Sequence, residues 1–285
     1  MGSDFALRDP RLPPELERKV FKIAGLARPT GIPALMPVAR RVKGWVEPLL
    51  YRVVLLADAS MNELHNLALP IVTVDALEKR PHTCLQHVRS LFINGKLVGE
   101  NKLENWLLAC TGVTNLYAQF LCTPKILPSL SGFTNIRYLT IDFRALCGPT
   151  VPLPLFLTVT HLELLDFTNE CKGKSADRLC QNLSFIPCLT HIAFNMYLDT
   201  LASHAAVCAM AQLQCIVFLS IWESFDGSPL LDDSRFVCIK DDSELGYYSD
   251  WLYGVVFGED YWTFAEAFLA ARRAGTIDRM CSKAL

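Results

Sequence analysis

Val159-Thr160-His161-Leu162-Glu163-Leu164 and Leu189-Thr190-His191-Ile192-Ala193-Phe194 share one spacing: apolar, two others, apolar, one other, apolar. Thr and His occupy the same two positions in both stretches. The spacing also falls at Val88/Leu91/Ile93, Val113/Leu116/Ala118, Ile136/Leu139/Ile141 and Leu213/Ile216/Phe218. Successive starts lie 25, 23, 23, 30 and 24 residues apart. In a chain with half its residues apolar, roughly one position in eight fits such a triplet by chance, so one match carries nothing. Six matches at a near-constant interval do. Each run predicts a short strand whose alternate side chains point to opposite faces of a sheet.

A recurrence of this length resembles that of leucine-rich repeats, in which each unit supplies one parallel strand and a return segment. No such unit buries its apolar face alone, and stacking of neighbours closes the core. The expected fold is therefore an α/β solenoid with a parallel sheet. Residues 103–110, 176–185 and 201–211 read as helical returns, while the prolines around 124–128 and 149–154 mark loops. The Asn or Cys that usually follows the strand in such repeats is replaced by Lys96, Leu121, Arg144, Phe167, Tyr197 and Ile221, so the array is expected to be irregular. A strand at 51–56 and a helix at 61–79 precede it. Residues 236–239 read as a last strand and 241–251 as an acidic, aromatic loop. Asp260 then caps a helix that Gly275 ends, and this helix is expected to cover the open edge of the last strand.

The strand register assigns a second face to the residues flanking each central apolar position. Those are Ser90/Phe92/Asn94, Asn115/Tyr117/Gln119, Tyr138/Thr140/Asp142, His161/Glu163/Leu165 and His191/Ala193/Asn195. Aromatics mixed with amides and few charges suit protein recognition. Phe92, Asn94, Tyr117, Gln119, Tyr138, Asp142, His161, Glu163, His191 and Asn195 are the expected partner-binding residues. The alternative is an ordinary polar face with no partner.

Composition narrows the function. The 285 residues carry 27 Lys and Arg against 29 Asp and Glu, a net charge of −2, so no basic face points to nucleic acid. The eleven cysteines are odd in number, and no two stand in the two-residue spacing of a zinc knuckle. They read as small buried hydrophobes in a reducing compartment, cytoplasmic or nuclear. No secretory signal opens the chain, and no apolar stretch approaches the roughly 18 residues of a membrane span. Phosphate-loop, nucleophile-elbow and zinc-helix motifs do not occur, so neither an enzyme nor a cofactor is expected. His82 and His87 flank Cys84 but lack a fourth metal ligand at a recognised spacing. Equivalent repeat positions give His161 and His191 a structural or surface role.

The head has its own pattern. Leu12-Pro13-Pro14-Glu15-Leu16 starts a helix with proline and acid in the first turn, and Leu16, Val20, Ile23 and Ala27 follow at helical spacing. Leu35, Val38, Val42, Trp45 and Leu49 form a second run, with Pro37 delaying its start. Together with Val20-Phe21, Val38-Ala39-Arg40-Arg41-Val42 and Trp45-Val46-Glu47-Pro48-Leu49-Leu50-Tyr51, this head resembles an F-box over residues 10–52. The repeat domain, with its C-terminal capping helix, then spans 53–285. The resemblance implies a non-enzymatic substrate receptor of a cullin–RING (Skp–cullin–F-box) ubiquitin ligase. Its contacts to a Skp-type adaptor would be Leu12, Pro13, Leu16, Val20, Phe21, Val38, Val42 and Leu49, with a target protein on the concave repeat face. The alternatives are a head that merely seals the first repeat, and a leucine-rich-repeat scaffold with no link to a ligase.

Overall fold

Six strands form where the recurring spacing falls, β2 (Ser90–Asn94), β3 (Asn115–Gln119), β4 (Tyr138–Asp142), β5 (His161–Leu165), β6 (His191–Asn195) and β7 (Cys215–Leu219), and two more form at the runs read before and after it, β1 (Val53–Leu56) and β8 (Phe236–Ile239). In this computed structural model they make one parallel sheet in sequence order, an α/β solenoid-like arrangement. The described residues are 12–56, 82–94, 107–119, 130, 132–147, 154–166, 174–198, 200–219, 225–239 and 247–277. The expected helix at 61–79, the loop at 124–128 and Asp241/Asp242 lie outside them.

Register follows the pattern residue for residue. Leu91, Leu116, Leu139, Leu162, Ile192 and Ile216 pair in one continuous rung, and Ile93, Ala118, Ile141, Leu164, Phe194 and Phe218 form the next. All are buried in a single core beneath the sheet. A slip of one residue in any strand would turn its aliphatic side chains out of this core.

The return segments close that core from the other side. Some are single 3-10 turns, at His82–His87, Phe143–Leu146, Pro154–Thr158 and Pro229–Asp232. Among the described residues, α4 (Lys174–Leu183) and α5 (Leu201–Cys208), numbered after three in the head, are helices, and residues 107–109 are helical as well. A hydroxyl ladder stands where the usual Asn ladder is missing. Thr114, Thr160 and Thr190 each donate from Oγ1 to the carbonyl of the preceding unit, on Arg89, Arg137 and Thr160. Each of those carbonyls also accepts two backbone N–H groups of the next unit, as Thr160 does from Thr190 and His191.

The head folds as α1 (Pro14–Ala27), α2 (Ile32–Leu35) and α3 (Arg40–Leu50). The second helical run begins three residues after Pro37, as proline in a helix start requires. Ile32, Val42 and Val46 form a small core. Gly25 allows α1 to approach, since a Cβ there would stand 3.1 Å from Leu49 Cδ1. Arg41 donates from Nε and Nη2 to both carboxylate oxygens of Glu17, joining α3 to α1.

The C-terminal helices correct the sequence reading. The stretch read as an acidic, aromatic loop ends inside a helix, α6 (Tyr247–Phe257), followed by α7 (Tyr261–Arg273). Both lie across the second sheet face rather than sealing the edge of β8. Trp251, Leu252 and Val255 cover Leu55, Phe92 and Tyr117, while Tyr261, Trp262, Ala265 and Leu269 cover Ala193, Val217 and Val237. The cause is visible in Cys215-Ile216-Val217-Phe218-Leu219, apolar at every position and buried at every position. A strand of that kind needs cover on both faces. Asp260 caps α7 by accepting at Oδ1 from the Thr263 N–H at 2.8 Å, and Gly275, at a φ of 69°, ends it. Asp260→Ala should cost about 1 kcal/mol, read from thermal melts, through loss of this cap.

Candidate functional site

The head presents one face outward. Leu12, Leu16, Val20 and Val38 are 46%, 50%, 54% and 60% exposed, and Ile23 and Pro13 are exposed beside them. Positions 16, 20 and 23 fall on one side of α1, and Leu12 precedes its first turn. Phe21 and Leu49 are half-buried against the small core. Val42, expected at an adaptor contact, is fully buried within that core and supports the face from below.

The second sheet face is not the open surface expected of it. Phe92 and Tyr117 are buried, stacked at 5.0 Å, with Trp251 over them at 6.0 and 5.6 Å. The Trp251 indole donates from Nε1 to Asn115 Oδ1 at 2.7 Å. Asp142 is buried as well. It accepts from the Arg144 backbone N–H and from the guanidinium at 2.6 and 2.8 Å, which fixes the turn after β4. The side chains of Asn94 and Gln119 lie outside the described residues. The sequence reading left Phe92 and Tyr117 exposed because it placed the last helix over the edge of β8 and read the stretch that opens α6 as a loop.

Between the two covered zones stands a row of rings, in which Tyr138 is exposed and the two imidazoles are largely buried. Tyr138, His161 and His191 stand on neighbouring strands and stack, with centroids 4.3 and 4.1 Å apart. Trp262 of α7 meets both imidazoles edge-on at 5.2 and 6.1 Å. Thr160 and Thr190 hold the Nδ1 atoms of His161 and His191 at 2.9 and 2.8 Å. Each hydroxyl also lies 3.2 Å from a backbone carbonyl; when it donates there it accepts from Nδ1–H, the tautomer that frees both Nε2 atoms as acceptors. Those atoms face Glu266 Oε1, at 3.4 Å from His191 and 4.0 Å from His161. Burial, helped by the neighbouring His191, pushes His161 down to about 3. Burial also lowers His191, against the pull of Glu266. Both rings are neutral at pH 7.

Glu163 lies beneath this row. It is buried, accepting from Thr140 Oγ1 at 2.9 Å and from Asn195 Nδ2 at 3.3 Å. The Tyr261 phenol lies near the same carboxyl without completing hydrogen-bond geometry. Burial raises the Glu163 carboxyl to about 7, with the hydrogen bonds pulling the other way. A small cleft lies between Tyr138, His161, Glu163, Trp251 and Trp262. Glu266, Trp251 and Trp262 were missed as site residues because nothing in the spacing of α6 and α7 says which face of the sheet they meet.

Compared with known proteins, the chain matches no family model and no curated protein sequence. Among the described residues no helix is long and apolar enough to cross a membrane. No disulfide joins the described cysteines, and burial pushes the Cys110 and Cys215 thiols up to about 12, where they are inert.

Proposed function

We propose that this chain is a non-enzymatic substrate-recognition adaptor of a cullin–RING ubiquitin ligase. Its F-box-like head docks on a Skp-type adaptor, and its degenerate leucine-rich repeats hold the target protein. The observation that carries the reading is the outward apolar row of Leu16, Val20 and Ile23 on α1, with Leu12 just before it, on a head whose own core is already filled by Ile32, Val42 and Val46. Large side chains aligned on one exposed face mark a surface that a partner covers. The family resemblance supplies the partner's identity, and such an assembly works in the cytoplasm or nucleus.

With Phe92 and Tyr117 covered, the target-holding role falls to the rim between the covered zones, Tyr138, His161, His191 and Asn195. A second reading, a repeat scaffold whose head only seals the sheet, draws on the contact of α3 with the 82–87 turn next to β2. Binding of the purified chain to a purified Skp-type adaptor separates the two. Wild type should bind, and a Leu16→Glu/Val20→Glu variant should lose binding while melting at the wild-type temperature, because both side chains are half exposed or more. Absence of binding by wild type would favour the scaffold.

A further inference from the structure

We propose that His161, His191 and Glu266 form a transition-metal site of the Zn²⁺ type that ties α7 to strands β5 and β6. This stands independently of the ligase reading. Its ground is the convergence of one ligand atom from each of two imidazoles and a carboxylate on one small space, with each imidazole's other nitrogen held by a threonine hydroxyl. The Nε2 atoms of both imidazoles and a Glu266 carboxylate oxygen lie within 4.8 Å of one another. In the tautomer with Nδ1 protonated, both Nε2 lone pairs face the carboxylate, and a cation placed between them is coordinated by all three.

The spacing suits a small divalent ion. Zinc bonds of about 2.0–2.2 Å in a tetrahedron set neighbouring ligand atoms about 3.4 Å apart. His191 Nε2 and Glu266 Oε1 are already 3.4 Å apart, and His161 Nε2 is 4.0 Å from the same oxygen. The imidazoles stack within 13° of parallel, so binding requires them to tilt until both lone pairs meet one point. Glu266 is largely exposed, which leaves the fourth position to water.

The outer contacts are those a metal-binding histidine has. Each Nδ1–H is held by a threonine hydroxyl, which fixes the ring orientation and commits Nε2 to the metal. Trp262 stands one helical turn before Glu266 and closes the flank of both rings. Two histidines and one carboxylate with an open position suit Zn²⁺ or Co²⁺ rather than Mg²⁺ or Ca²⁺, which prefer oxygen ligands.

The test is a titration of the chelator-treated full chain with Co²⁺, followed by displacement with Zn²⁺. Visible absorption of four-coordinate Co²⁺ is expected, without the near-ultraviolet charge-transfer band that cysteine ligands would add, and Zn²⁺ should abolish it and raise the melting temperature. Glu266→Gln and His191→Ala should remove both effects. Thr160→Val and Thr190→Val should each weaken binding by about 10–100-fold. The proposal fails if no cobalt spectrum appears, if the spectrum shows sulfur ligation, or if it survives in Glu266→Gln, an exposed substitution that leaves the fold intact.

Discussion

Replacing Trp251 with alanine is expected to destabilise the chain by about 3–5 kcal/mol, the range for removing a buried aromatic side chain. Trp251 is the aromatic side chain that α6 lays on the sheet. Its ring rests on Phe92 and Tyr117, which are themselves stacked, and its indole N–H is bonded to Asn115. Alanine there leaves a void over two buried rings and strips Asn115 Oδ1 of its donor. Trp251→Phe separates the two losses, because it keeps an aromatic ring over Phe92 and gives up the hydrogen bond, at about 1 kcal/mol. Urea denaturation of the three proteins checks both values. A Trp251→Ala protein as stable as wild type would mean that α6 does not hold the second face, and the surface first read as open would be open after all.

The difference between those two pictures of one face shows how far the sequence reaches. The strand positions were legible because Leu91, Leu116, Leu139, Leu162, Ile192 and Ile216 recur in a chain whose every unit needs the next to bury them. The irregularity was legible too, from the missing Asn ladder. Its replacement was half visible in the Thr-His pairs, whose hydroxyls turn out to stitch one unit to the next. The position of the last helices was harder. Whether α7 seals an edge or lies on a face depends on contacts between segments far apart in the chain, and the amphipathic pattern of α7 fits either. The one local clue was β7, apolar on both sides, a pattern that no half-open sheet carries. The candidate site inherits this: His161, His191 and Glu163 follow from strand register, while Glu266, Trp262 and Trp251 come from elements whose docking the register does not specify.

Glu163→Gln is expected to make the chain more stable than wild type at pH 8 by about 3 kcal/mol and to leave the two within about 1 kcal/mol of each other near pH 4.5. The reason is the direction of the Glu163 shift. Burial holds the carboxyl at about 7 in the folded chain against an ordinary value of 4.5. Between those values the folded protein keeps a proton that the unfolded chain has released, so stability falls as pH rises through the window and is level above it. At about 1.4 kcal/mol per pH unit, the window amounts to the loss stated. The histidines work in the opposite sense. His161, His191 and His204 are pushed down by burial, so stability falls as pH drops below about 6.5 toward their folded values, for His161 down to about 3. The wild-type profile is therefore a composite, and only the difference between wild type and Glu163→Gln isolates the carboxyl. Glutamine keeps an acceptor for Thr140, and Asn195 can turn its amide to match. Chemical denaturation at pH 5, 6, 7 and 8 measures that difference. Parallel curves would show that Glu163 titrates like a solvated acid, and the ring row above it would then sit over water rather than over a buried proton.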